Sequence, residues 1–254
     1  MRYCATADTD IGTTKSTNQD SALIKHAACQ GNEVMMAIIC DGMGGLAKGE
    51  LASATVIRCF SEWFDKELPF ELRTLDFNVI GEKWALMLKN LNTKIIQYSQ
   101  QNGINSMGTT FSGILFAAGQ YVIVHVGDSR IYHIGDTLSQ LTEDQTFIAR
   151  EIRRGTMTLE QAKTDNRRNL LLQCVGASAV VEPQILVGRV MPGTYMLCSD
   201  GFRHEISEQE IFGAFHPSVL VNKDVMHQKA KGLIDVNKTR RERDNITVVL
   251  VKAE

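Results

Sequence analysis

The stretch FSGILFAAGQYVIVHVGDSRIYHIGDTLSQL, residues 111–141, decides the fold. Phe111 to Ala118 reads as a strand, Gly119-Gln120 as a turn, and Tyr121 to Val126 as the returning strand. Ile131 to Ile134, Gly135-Asp136 and Thr137 to Leu141 repeat the pattern. Gly at the first position of a two-residue loop suits a type II′ turn. Connections this short force antiparallel neighbours, because parallel strands need long crossovers. The stretch predicts an antiparallel meander and excludes a doubly wound parallel sheet.

Helices flank the meander. Ala52, Val56, Phe60, Trp63 and Phe64 recur at helical spacing between Leu51 and Leu68. Ile80, Trp84, Leu88, Leu91, Ile95 and Tyr98 do the same in the next segment. Each is a one-sided apolar stripe, as a helix lying on a sheet requires, and both Trp residues read as core packing. A third helix is expected from about Lys223 to Val236. Thr158 with Gln161, and Ser207 with Glu210, are capping boxes that start further helices. Residues 142–169 are polar and read as short helices projecting from the sheet. Strands resume at Gln184 to Val190, and Met191-Pro192-Gly193 turns the chain into the next. One α+β domain over residues 1–254 is the economical reading.

Composition narrows the function classes. The net charge of -2 gives no support to a nucleic-acid binder or a polybasic membrane anchor. No apolar run reaches the ~20 residues of a transmembrane helix, and the N-terminus shows no signal peptide. A cytoplasmic location is the resulting expectation. None of the six cysteines forms a CxxC pair, so zinc-ribbon and thioredoxin-type chemistry lack support.

Four aspartates mark the joins between apolar strands and loops. Asp41 follows Met35 to Cys40, Asp128 follows Tyr121 to Gly127, Asp200 follows Tyr195 to Ser199, and Asp244 precedes Asn245 to Val251. Strands that bring these acids to one rim create a cluster that repels itself unless cations neutralise it. The pattern points to a metal site with oxygen ligands. Other chemistries fit less well. Gly42-Met43-Gly44-Gly45-Leu46-Ala47 loosely matches a GxGxxA dinucleotide fingerprint, but that fold needs a parallel sheet. A P-loop fails because Ala47 precedes Lys48 where Gly is required. On its own, Asp41-Gly42 also fits a plain turn. No Cys-x5-Arg loop, Gly-x-Ser-x-Gly elbow or HExxH pair is present. His125 and His133 alternate with apolar residues and read as sheet residues rather than ligands.

At this point the residues match a family. In order, the chain carries Asp10-Ile11-Gly12, Asn18-Gln19-Asp20-Ser21, Cys40-Asp41-Gly42-Met43-Gly44-Gly45, and Gly49-Glu50 with Ala52-Ser53. Met107-Gly108-Thr109-Thr110, Val126-Gly127-Asp128-Ser129-Arg130-Ile131-Tyr132 and Leu141-Thr142-Glu143-Asp144 follow. Cys198-Ser199-Asp200-Gly201 and Asp244-Asn245-Ile246-Thr247 complete the series. The chain resembles the metal-dependent protein Ser/Thr phosphatases of the PP2C (PPM) type in their compact bacterial form. The resemblance implies a four-layer α-β-β-α sandwich, two antiparallel sheets face to face with helices outside. It implies two Mn2+ or Mg2+ ions, with Asp41 bridging them and Asp200 and Asp244 completing the first site. The Gly42 carbonyl would face the second ion, Asp128 would serve a third, weaker ion, and Asp20 would stand just behind the ligands. It further implies a metal-bridging water that attacks the phosphate directly, phosphorylated protein substrates and a cognate Ser/Thr protein kinase.

The chain departs from the family pattern in several places. Lys15 stands where the family usually has an Arg that grips the substrate phosphate, and Lys lacks the bidentate fork. A solvated loop lysine is the competing reading. Leu46 and Gln145 replace histidines common in bacterial members. Arg241-Glu242-Arg243, with Lys238 and Arg240, forms a basic run before Asp244, either an attractor for phosphoproteins or a solvated loop. Phe202-Arg203-His204 is atypical too. Residues 145–169 lie where the family carries a flap near the cleft. Lys15 and Leu46 motivate an alternative function, a catalytically weak or inactive phosphoprotein-binding module; the intact acids favour the enzyme.

Overall fold

In the computed structural model, which describes residues 1–29, 31–43, 48–167 and 170–254, the 111–141 stretch forms two hairpins that lie in different sheets. The chain begins with β1 (Tyr3–Asp10), β2 (Ser21–Cys29) and β3 (Asn32–Cys40), then α1 (Gly49–Lys66), α2 (Leu68–Glu71) and α3 (Phe77–Gln101). Next come β4 (Phe111–Ala117), β5 (Gln120–Val126), β6 (Arg130–Ile134) and β7 (Leu138–Gln140). The excursion holds α4 (Phe147–Arg153) and α5 (Leu159–Thr164). The chain ends with β8 (Gln184–Arg189), β9 (Gly193–Cys198), α6 (Asp200–Arg203), α7 (Glu208–Phe215), α8 (Lys223–Thr239) and β10 (Ile246–Ala253).

One sheet has the order β1-β10-β9-β6-β7 and the other β2-β3-β4-β5-β8, with every pairing antiparallel. The α+β sandwich is therefore as expected, but the meander is not continuous. β4 and β5 pair in one sheet, β6 and β7 in the other, and the chain changes sheet between Val126 and Arg130. Two turns also differ from expectation. Ala117 pairs with Gln120, so the first turn is Ala118-Gly119, with φ of 47° and 74°. Positive φ at both positions is the type I′ geometry, whose twist suits flanking strands. Ile134 pairs with Leu138, which leaves a three-residue loop, Gly135 to Thr137.

Strand β3 shows why central strands read as unbroken apolar runs. Met36, Ile38 and Cys40 face a core with Phe60, Trp63 and Trp84 of α1 and α3. Met35, Ala37 and Ile39 face the opposite sheet, among Tyr195, Leu197 and Val249. Both faces are covered, so no position is left for alternation with polar residues. Trp84 meets Trp63 and Phe60 edge-on, with centroids 5.3 and 5.1 Å apart. Between the sheets, Phe116 meets Tyr195 at 4.9 Å. On the far side Phe202, Phe215, Met226 and Ile234 cover Met196, Cys198, Val248 and Leu250. The layers run helix, sheet, sheet, helix.

Helix boundaries follow local chemistry. Asp76 caps α3 by accepting from Asn78 N and Val79 N, at 2.9 and 3.3 Å. Both expected capping boxes form, Thr158 with Gln161 and Ser207 with Glu210. The first predicted helix ends at Lys66, with α2 as a separate turn starting at Leu68-Pro69. Residues 145–167 leave the sheet as an excursion that Phe147 N, donating to Leu170 O at 2.8 Å, ties at its base.

Candidate active site

The acids sit where strands stop. Asp20 immediately precedes β2, Asp41 follows β3, Asp128 lies in the sheet change between β5 and β6, Asp200 opens α6 after β9, and Asp244 lies two residues before β10. These strand ends belong to both sheets and meet at one rim. Thr110 fixes Asp41 twice: Thr110 N donates to Asp41 O, and Asp41 N donates to Thr110 Oγ1, each at 2.9 Å. Gly42 is required by space. A Cβ there would lie 2.4 Å from Gln19 O and 2.7 Å from the Gly49 carbonyl.

The electrostatics record the crowding. Burial pushes the Asp41 carboxyl well above its usual range, and Asp20, Asp200, Asp128 and Asp244 push it further. Burial raises Asp20 to about 7, with Asp200 and Asp244 adding to it despite hydrogen bonds from Thr247 and Ser199. Asp128 also rises to about 7, through burial and Asp200, against the pull of Arg203. Lys15 Nζ stands 2.8 Å from Asp244 Oδ1. Partial burial opposes its charge, but Asp244, Asp41 and Asp200 outweigh that and hold the ammonium above its ordinary range.

The donor set fits divalent cations. Asp20 Oδ1 and Asp200 Oδ1 are buried without a hydrogen-bond partner, a costly state for carboxylate oxygens that a cation relieves. As placed, no three His, Cys, Asp or Glu side chains among the described residues close around one point. Oxygen ligands suit Mn2+ and Mg2+ rather than thiophilic metals.

Several residues act here in ways the sequence did not disclose. Asn245 ties three segments together, accepting from Gln19 N at 2.9 Å and donating to Ile11 O and Thr17 O at 2.9 and 3.3 Å. Thr247 Oγ1 donates to Asp20 Oδ2 at 2.6 Å. Glu242, hidden in a basic run, turns inward and accepts from Arg243 N and Asp244 N at 2.7 and 2.8 Å. His204 bridges Glu242 Oε2 and Asp200 Oδ2, at 3.4 and 3.5 Å. Arg203 Nη2 donates to Asp128 O at 3.2 Å. Their atypical spelling was the only signal for Arg203 and His204.

The remaining expectations divide. Gln145 does not face the cleft: its Oε1 accepts from Gly127 N at 2.8 Å, and its own N–H donates to Gly127 O at 2.8 Å. Leu46 lies outside the described residues, as do Gly44 and Gly45. Within the basic run, Arg240 pairs with Glu210 at 2.6 Å and Lys238 with Asp10 at 2.7 Å. Exposed Arg241 and Arg243 line a cleft of about 800 Å³ together with Asp128, Asp244 and Ile148, Ala149 and Ile152 from the excursion. His125 is a buried sheet residue, hydrogen-bonded to Ser112 Oγ at 2.8 Å and Glu143 O at 3.1 Å.

Known proteins resemble this chain in sequence and fold. The sequence profile of the family described as protein phosphatase 2C matches residues 12–231. The serine/threonine phosphatase stp of Listeria innocua is 31% identical over 247 residues, 96% of this chain and 93% of that protein. The serine/threonine protein phosphatase PstP of Mycobacterium tuberculosis is 32% identical over 98% of this chain and 44% of that longer protein. The crystal structure of Stp1 from Staphylococcus aureus superposes with a TM-score of 0.85 at 28% identity, over 100% of this chain and 96% of that one. The catalytic domain of PstP in complex with two manganese ions superposes at 0.76 with 27% identity, over 98% and 97%.

Proposed function

This chain belongs to the protein phosphatase 2C family, and from that premise we propose that it is a metal-dependent protein phosphatase acting on phosphoserine and phosphothreonine. One observation carries the proposal. Asp20, Asp41, Asp128, Asp200 and Asp244, spread over the whole chain, act on one another electrostatically at a single rim. An acid cluster of this kind has a function only with cations in it.

Asp41, Asp200 and Asp244, with the Gly42 carbonyl, are the proposed holders of two Mn2+ or Mg2+ ions. When bound, such ions neutralise phosphoryl oxygens and make a strong oxygen nucleophile available at neutral pH. The chain's own side chains do the rest. Lys15 offers an ammonium to a phosphoryl oxygen from its place beside Asp244. Asp20 is held by Thr247 and orients groups behind the ligands. The cleft between the 241–243 loop and α4 would take the polypeptide flanking the phosphoresidue. The pairing of β1 with β10 joins both chain ends in one sheet, which supports residues 1–254 as one unit with a flap at about 145–169.

A Ser/Thr protein kinase is the enzyme that would supply such substrates. Among the described residues no helix is long and apolar enough to cross a membrane, and a cytoplasmic site of action belongs to the same proposal. No observation favours the inactive binding module. The test is hydrolysis of a phosphothreonine peptide with Mn2+ and after EDTA. Turnover should require Mn2+ and vanish in Asp200→Asn; turnover that survives either change overturns the reading.

A further inference from the structure

Asp128 lies in the link between β5 and β6 and is nearly buried; burial, with the neighbouring Asp200, pushes its carboxyl up. It needs a positive partner, and the chain supplies one. Arg203, the last residue of α6, reaches across from the other side of the rim. Its Nη2 donates to Asp128 O at 3.2 Å and stands 3.8 Å from Asp128 Oδ2 and 3.9 Å from Asp144 Oδ2. The Arg203 side chain is 16% exposed and Asp128 13%, so the pair is poorly screened by solvent.

Of the other acids nearby, Asp144 is already matched. Asp144 receives Arg130 in the bidentate fork, Nε to Oδ1 and Nη2 to Oδ2 at 2.7 Å each. Its Oδ1 also accepts from Gln140 Nε2 at 3.0 Å. Arg130 is anchored in turn on Tyr132 OH at 2.8 Å. Asp200 Oδ2 faces His204, and its unpartnered Oδ1 belongs to the acids assigned above to the two-ion site. An outer divalent ion at Asp128 would therefore have to share that carboxylate with the Arg203 guanidinium, which already stands at ion-pair distance. Like charges that close repel strongly at a partly buried site. The residues here do not fit a third ion.

We propose that in this chain the Arg203 guanidinium takes the place of an outer metal ion at Asp128, making the site a two-ion centre with a built-in third cation. This rests on the two-ion reading above. Arg203 is then a positioning residue: it holds the Asp128 carbonyl and side chain at the edge of the cleft without depending on dissolved metal. Activity should accordingly reach its maximum once two ions are bound, with no later rise at high Mn2+.

Counting bound Mn2+ by electron paramagnetic resonance of the free ion tests this without reference to turnover. Wild-type protein should bind two Mn2+ per chain and show no third up to millimolar concentrations. Arg203→Met should gain a third, weaker ion, Arg203→Lys should stay at two, and Arg203→Met combined with Asp128→Asn should return to two. Arg203→Gln carries the same expectation as Arg203→Met and replaces it should that variant fail to fold, judged by circular dichroism. A third ion in wild type with the affinity seen in Arg203→Met overturns the inference, as does a folded Arg203→Met or Arg203→Gln that stays at two. Wild type binding fewer than two ions overturns the two-ion reading instead, and this proposal with it.

Discussion

In the proposed site Lys15 offers a point charge, without the planar fork by which an Arg would grip two phosphoryl oxygens at once. The ammonium is well placed, 2.8 Å from Asp244 and under the pull of Asp41 and Asp200. Losing one charge-assisted hydrogen bond costs ~1.5–3 kcal/mol. Lys15→Ala should therefore lower kcat/KM on a phosphothreonine peptide by roughly ten- to a hundredfold, mostly through KM. Lys15→Arg should raise it above wild type, and steady-state kinetics at saturating Mn2+ checks both. Such a position is legible from a local motif. Glu242 is not. It sits between two arginines and reads as part of a charged loop, yet its carboxylate shapes the turn that presents Asp244. Nothing in the spelling Arg241-Glu242-Arg243 says which side chain turns inward, because that depends on where His204 arrives from a distant segment.

At the scale of elements, the passage from β5 to β6 sets the position of Asp128. Gly127 has φ of 109°, and a Cβ there would lie 2.6 and 2.8 Å from Thr110 side-chain atoms. Gly127→Ala combines an unfavourable backbone with a clash against the residue that fixes Asp41. It should cost roughly 1–3 kcal/mol and lower activity with it; urea unfolding measures the first. One step earlier, burial holds His125 neutral, its ring pushed down to about 4 from an ordinary 6.5. Here the folded state binds fewer protons than the unfolded chain between those values. Stability from His125 is complete above about 6.5 and is lost as pH falls toward 4. The loss is about 3 kcal/mol. His125→Gln should be less stable at pH 8 but lose less on acidification, as urea midpoints at pH 4.5 and 8 would show. The sequence disclosed both hairpins of this region. It did not disclose that they belong to different sheets, because a short link between strands reads the same whether it closes a turn or crosses a core.

At the scale of the whole molecule, the ends of β2, β3, β5, β6, β9 and β10 converge on a rim of mutually repelling acids. Without metal, burial and the neighbouring acids hold Asp20 and Asp128 near 7 when folded against 3.8 when unfolded, and push Asp41 well above its usual range too. The folded state then binds more protons, so the stability owed to these groups declines as pH rises from about 4 through about 7. Divalent ions reverse that repulsion. At a hundred times Kd, binding contributes about 2.7 kcal/mol, roughly 5–10 °C in Tm for a chain of this size. The difference in Tm between Mn2+ and EDTA should accordingly be larger at pH 8 than at pH 6, measured by scanning calorimetry. What the sequence alone determined was the class of the fold, the capping-box starts at Thr158 and Ser207 and the acids of the candidate site, since apolar periodicity, capping residues and short motifs are local. Only the tertiary structure decided which sheet each hairpin joins, that Asn245 and Glu242 frame Asp244, and that Arg203 meets Asp128. Those outcomes depend on residues 75 or more positions apart for Arg203 and Asp128, and further for Asn245 and Ile11. Such partners are chosen by packing between sheets, which no local spacing records.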